Sequence, residues 1–181
     1  QVADLSQPLR LSKTYDLAVS LEVAEHLPEN AAGQFIDSLT SLAPIVLFSA
    51  AIPGQGGTNH INEQWQHYWA DRFWQHGFIP IDTLRRVLWS NEKVHSFYRQ
   101  NMILYVQKDV VSSLDVPETD IVKDTKNLSR AHPEIFDQKR HRLEGAQKVW
   151  PGYISLRNVV LGLPRLVYYT FKTRMHDGAT S

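Results

Sequence analysis

The chain has 181 residues, 43% of them hydrophobic, and its 19 basic and 19 acidic side chains cancel to a formal net charge of zero. That apolar supply suits one globular domain with a real core, and the charge balance gives no global reason to expect nucleic acid as a partner. The absence of cysteine excludes a disulfide framework, a thiolate metal site and a cysteine nucleophile, and it fits a reducing cytoplasm.

Residues 1–6 lack the basic region and apolar run of a signal peptide and carry no initiator methionine. The chain is therefore expected either to begin inside a larger gene product or to have been processed. Tyr15 to Leu21 is a short apolar run of the kind buried on both faces of a parallel sheet, and Pro44 to Ser49 is a second one. Between them Pro28 and Glu29 suit a helix start, and Phe35, Ile36, Leu39 and Leu42 recur at helical spacing. The pattern predicts a β-α-β unit.

A glycine-rich loop, residues 52–58, follows the second strand and leads through His60, Asn62, Glu63 and Gln64 into an aromatic helix. Trp65, Tyr68, Trp69 and Phe73 fall on one face of it, Asn62 is the expected N-cap and Gly77 the expected C-terminal glycine. Residues 78–81 read as a short strand, Asp82 as the cap of a brief helix through Leu88, and residues 101–106 as a final strand.

Scattered charges and prolines from about residue 109 to 130 predict a linker or surface excursion. The remainder, residues 131–181, reads as a mostly helical extension. Its apolar and aromatic stretch from Trp150 to Met175 carries Arg157, Arg165, Lys172 and Arg174, with no carboxylate from Gly145 through His176. It falls short of the roughly 20 apolar residues of a membrane span. Two readings stand: helices covering an apolar surface, or a peripheral membrane contact through residues 150–175 with basic side chains on anionic headgroups.

Alternating strands and helices place a ligand crevice at the carboxyl edge of the sheet. Residues 3–6, residues 21–26 and the loop from Ala50 to Gln64 converge there. Asp16 followed by residues 20–27, with the Glu25-His26 pair, resembles the fourth-strand motif of class I S-adenosylmethionine-dependent methyltransferases. Pro44 to Ser49 is similar to their fifth strand, and Gly77 and Phe78 to the start of their sixth. Phe48 through Gln64 looks like the loop of a bacterial subgroup of this family, and the resemblance spans roughly residues 2–108.

The resemblance implies an α/β fold, a Rossmann-like methyltransferase sheet truncated at its N-terminal side. S-adenosyl-L-methionine is the implied cofactor and a small molecule or saccharide the implied acceptor. Asp4 then accepts from the adenine amino group, Leu5 packs on the adenine or donates its N–H, the Leu21 carbonyl holds the methionine ammonium, and Glu22 through His26 frame cofactor and acceptor. His60, Asn62, Glu63, Gln64 and Trp65 face the substrate, and His60 or His26 is the candidate base for a hydroxyl acceptor, since imidazole titrates near neutrality. The family's first strand and glycine-rich turn do not occur in the sequence. Gly54, Gly56 and Gly57 follow the wrong strand to replace them, so the 181 residues alone are expected to be inactive.

Plainer accounts accompany these. Glu25 and His26 can be a helix-start carboxylate and a packing histidine, Asp4 a turn aspartate, and Asn62 and Glu63 helix caps. His60 and His67 lack a third ligand at helical spacing, so no metal is expected. The alternative function is a non-catalytic module that keeps the methyltransferase scaffold to bind a protein or membrane surface.

Overall fold

The computed structural model describes residues 2–149, with side chains through Glu144. Its first compact unit runs to Ile135 and is a mixed α/β domain; the second begins at Phe136. Four strands, β1 (Ala18–Leu21), β2 (Ile45–Ser49), β3 (Phe78–Ile81) and β4 (Ile103–Gln107), form one sheet in the order β1-β2-β4-β3. β1 and β2 are parallel, in register from Ala18 opposite Val46 to Leu21 opposite Ser49. β4 runs antiparallel to both β2 and β3, so β1, β2 and β3 point the same way.

Helix α1 (Ala32–Leu42) enters through a turn of 3-10 helix at Glu29–Ala31 and buries Phe35, Ile36, Leu39 and Leu42, the four residues whose spacing predicted it. Helix α2 (Gln66–Gln75) buries Trp69 and Phe73. There Phe73 stacks on Tyr105 of β4 with ring centroids 3.9 Å apart, and Phe48 of β2 meets Phe73 edge-on at 5.3 Å. Each such buried aromatic contributes about 1.5–3 kcal/mol through area removed from water, so this aromatic cluster anchors α2 to the sheet. Gly77 ends the helix at φ +76, where a side chain would be strained.

Several expectations need correction. α2 begins at Gln66, not after Asn62, because the preceding residues are strapped to the sheet edge: the Ile61 and Asn62 amides donate to the Glu25 carbonyl at 2.9 and 3.0 Å, and Gln64 donates to the Ala51 carbonyl at 3.1 Å. Trp65 therefore sits at the N-cap, 38% exposed, off the buried aromatic face. β1 is shorter than its apolar run and lies at an edge of the described sheet, with Leu17 47% and Val19 56% exposed.

Asp82 precedes helix α3 (Thr83–Leu88), yet its carboxylate grips Arg85 rather than a backbone amide. The last strand starts at Ile103 because Asn101 closes a short helix, α4 (Ser96–Asn101), that the sequence did not suggest. Residues 109–130, expected as a linker or surface excursion, are mostly exposed; they begin within helix α5 (Lys108–Val111) and also contribute Leu128 to the core and Ile121 as a bridge to Ile81 of β3. Helix α6 (Pro133–Val149) follows. The segment 150–175, including its proposed membrane contact, lies outside the described residues, among which no helix is long and apolar enough to cross a membrane.

Candidate functional site at the carboxyl edge of the sheet

Because β1, β2 and β3 are codirectional, the turns that leave them open at one edge, and Asn101 and Met102, which lead into antiparallel β4, arrive at that same edge. Glu22, the first residue after β1, is held at φ +52, a left-handed conformation costly for a side chain with a Cβ. Two acceptors fix it there, since its amide lies 3.0 Å from both the carbonyl and the hydroxyl oxygen of Ser49 at the end of β2.

The Glu22 carboxylate enters a ring of side-chain amides. Gln55 Nε2 donates to Oε2 at 2.8 Å and Asn101 Nδ2 to Oε1 at 3.2 Å; Asn101 and Gln100 both donate to Gln55 Oε1, at 2.9 and 3.1 Å. Gln100 also donates to Asn101 Oδ1 and accepts from the His132 amide at 2.7 Å. Gln100 and Asn101 are buried, so each bond replaces one the amide would otherwise make to water.

One turn further on, Glu25 is completely buried and, among the described residues, neither of its carboxylate oxygens has a hydrogen-bond partner. Burial pushes its carboxyl up to about 7, and the charge of Glu22 adds to the effect. His60 and the amides of Glu25 and Ala51 favour the charged form without closing a hydrogen bond to it.

His60 Nε2 lies 3.9 Å from Glu25 Oε1, while its Nδ1 meets Glu63 Oε1 at 2.9 Å. The His26 ring stands edge-on to it at 4.9 Å, with Nδ1 3.2 Å from the Asn59 carbonyl.

The glycine-rich loop is an anion nest that the chain fills itself. Both Glu63 oxygens accept backbone amides, from Gly54 and Gly56 at 2.7 Å each, with Gly54 at φ +80 and Gly56 at φ +70. Burial works to raise the Glu63 carboxyl, but the His60 ring and the two amides prevail and hold it below its ordinary value. A Cβ on Gly57 would overlap the His60 ring, so only glycine lets the ring lie where it does.

No family model matches this chain, and no curated protein or solved structure does either. The site must be read from its own chemistry.

Of the residues singled out from sequence, Leu21 ends β1, and Glu22, His26, His60, Asn62, Glu63 and Gln64 lie on the segments that follow β1 and β2. Asn62 is buried, with Oδ1 taken by Gln64 Nε2 at 3.0 Å and Nδ2 unpartnered among the described residues. Asp4 is exposed and folds back on its own turn, accepting the Ser6 amide at 2.9 Å and hydroxyl at 2.7 Å, which lowers its carboxyl. Leu5 packs against the core beside it.

His67 points elsewhere, bonding Ser129 Oγ at 2.7 Å, and the two groups gathered with His60 come instead from the turn after β1, Glu25 and His26. Gln100 and Asn101 escaped sequence reasoning because polar residues buried in a six-residue helix give no periodic signal, and Gln55, within the loop of residues 52–58, had nothing in its spacing to point to them.

A separate cleft of about 800 Å³, lined by Asp82, Arg85, Arg86, Asp120 and Arg130 among others, contains none of these groups. Its charges are matched internally: Arg85 pairs with Asp82 and Arg86 with Asp120.

Proposed function

We propose that this chain is the C-terminal part of a class I S-adenosylmethionine-dependent methyltransferase, acting on a small-molecule or saccharide-type acceptor. The observation that carries the reading is the turn after β1. Glu22 is held in a strained backbone conformation directly after Leu21, at the carboxyl edge of three codirectional strands, with its carboxylate fixed by amides from two other segments. Strain sustained by surrounding structure is concentrated at ligand sites, and open α/β sheets bind ligands at this edge.

Two further features support it. The sheet is codirectional except for β4, which lies antiparallel between β2 and β3, and mixed sheets are common among large α/β folds. Val19 of β1 and Leu17 just before it are half exposed on one face of an apolar run that suits burial on both, as expected if further structure covers that face. The reading requires a glycine-rich strand, turn and helix that these 181 residues do not supply, and which would precede residue 1.

In this reading the Leu21 carbonyl and the Glu22 carboxylate suit the ammonium of the methionine moiety, an acceptor-only pair facing a donor-only group. Asp4, exposed and with a lone pair to spare, suits the adenine amino group. The cofactor supplies a methyl group on a sulfonium, and the protein supplies position and a dry site. For a hydroxyl acceptor the bound cofactor would supply the methyl group, and His60 Nε2, on a ring that Glu63 orients through Nδ1, would take the hydroxyl proton.

The test is calorimetric titration of S-adenosylhomocysteine into this chain and into one extended upstream by at least one β-α-β unit, about 30 or more residues. Binding by the extended chain, weakened about tenfold or more by Asp4→Ala as loss of a bond to a charged acceptor predicts, supports the reading. No binding by either, with both folded, overturns it in favour of a non-catalytic module on the same scaffold.

A further inference from the structure

Methyl transfer can give His60 work as a base, but it does not explain why a buried, partnerless Glu25 carboxylate is gathered with His26 and His60. One carboxylate oxygen of Glu25 and one ring nitrogen from each histidine lie within 4.8 Å of one another. The Glu25 carboxylate is fully buried, aimed into the cluster and without a hydrogen-bond partner among the described residues. Leaving such a group unsatisfied costs several kcal/mol unless something unseen meets it.

Both imidazole rings are already held in place. His60 Nδ1 is held by Glu63 and His26 Nδ1 by the Asn59 carbonyl, so in each ring the nitrogen left over is Nε2, and that of His60 points at Glu25. A carboxylate or backbone carbonyl on one nitrogen of an imidazole, with the other left for the ion, is the outer-shell pattern of histidines that ligate metals. Glu63 is itself fixed by the Gly54 and Gly56 amides, and Gly57 leaves room for the His60 ring, so the residues that shape the loop also place this nitrogen.

From this geometry we infer that Glu25, His26 and His60 bind a divalent first-row transition metal ion, with zinc the ion best suited. Two imidazoles and one carboxylate are the donor set of three-ligand zinc and iron(II) sites, whereas calcium and magnesium take oxygen donors. Bonds of about 2.0–2.2 Å place donors roughly 3.3 Å apart, so binding draws the cluster in by about 1 Å. His26 is exposed, which gives the ion a route in and leaves a coordination position facing solvent. The inference does not rest on methyl transfer: a bound ion would occupy the His60 Nε2 lone pair and so take over from His60 the activation of a bound hydroxyl or water.

Cobalt(II) titration of the metal-stripped 181-residue chain tests it, because cobalt reports low-coordinate nitrogen and oxygen ligation through its visible d–d bands and yields to zinc. One equivalent should be taken up and displaced by zinc. His60→Ala should weaken uptake beyond the 10- to 100-fold that loss of an orienting partner costs, roughly. Glu25→Gln should do the same, and His67→Ala, outside the cluster, should leave it unchanged. If Glu25→Gln fails to fold, exposed His26→Ala replaces it, with the same loss expected. No stoichiometric uptake by the wild-type chain, or uptake indifferent to His60→Ala and His26→Ala, overturns the assignment.

Discussion

Asn101 and Glu22, 79 positions apart in the chain, meet side chain to side chain at 3.2 Å at the carboxyl edge of the sheet. Asn101 also donates to Gln55 and accepts from Gln100, and it is buried. Asn101→Ala leaves the other members of the ring short of partners, and an unsatisfied buried polar group costs about 1–3 kcal/mol. Urea denaturation should show a loss of about 2–4 kcal/mol in all. A loss below about 0.5 kcal/mol, the range of ordinary surface substitutions, would mean that the ring is not a cooperative unit.

The backbone at Glu22 separates strain from side-chain bonding. Glu22→Ala removes the carboxylate and keeps the left-handed residue, whereas Glu22→Gly removes both the carboxylate and the strain. Left-handed geometry costs an L-residue about 1–2 kcal/mol and glycine's extra chain entropy returns part of that. The glycine variant should therefore be the more stable of the two, by about 1 kcal/mol. Equal stabilities would show that the turn relaxes once the carboxylate is gone.

Gly57→Ala is expected to divide function from stability. The added methyl displaces the His60 ring, the movable end of a side chain, so denaturation should change by under about 1 kcal/mol. The His60 to Glu63 bond should nevertheless be lost, and two-dimensional NMR of the imidazole nitrogens would register it as a change in the His60 resonances, with a smaller one at His26, whose ring stands edge-on to it. Unperturbed His60 signals would place the ring elsewhere in solution.

Glu25 makes stability depend on pH. Its carboxyl is raised by burial, with a contribution from Glu22, to about 7 in the folded chain from an ordinary 4.5. The folded state therefore prefers the protonated group. Stability from this residue is full below about pH 4.5, falls as pH rises through the window to about 7, and then levels, a decline of up to about 3 kcal/mol. In Glu25→Gln, measured with chelator present, that decline should vanish; a wild-type profile equally flat across pH 4.5 to 8 would contradict it.

The sequence by itself determined the elements whose pattern repeats over many residues. Phe35, Ile36, Leu39 and Leu42 specified α1 because four apolar side chains at helical spacing have one way to be buried together. The short apolar runs specified β1, β2 and β3, and Gly77 marked the end of α2 because it alone tolerates the conformation required there.

The turns after β1 and β2 were also legible as the place where chemistry would gather, since codirectional strands deliver their following loops to one edge. What meets there was not. Whether Glu63 caps a helix or fills the Gly54 and Gly56 nest depends on where the chain is strapped down, and the Glu25 carbonyl decides that from 37 residues away, counted to Asn62. The Gln55, Gln100 and Asn101 ring and the Glu25, His26 and His60 cluster each join segments whose proximity follows only from sheet order. Only the tertiary structure chose those partners, because a hydrogen bond is set by position in space, and periodicity along a chain carries no record of it.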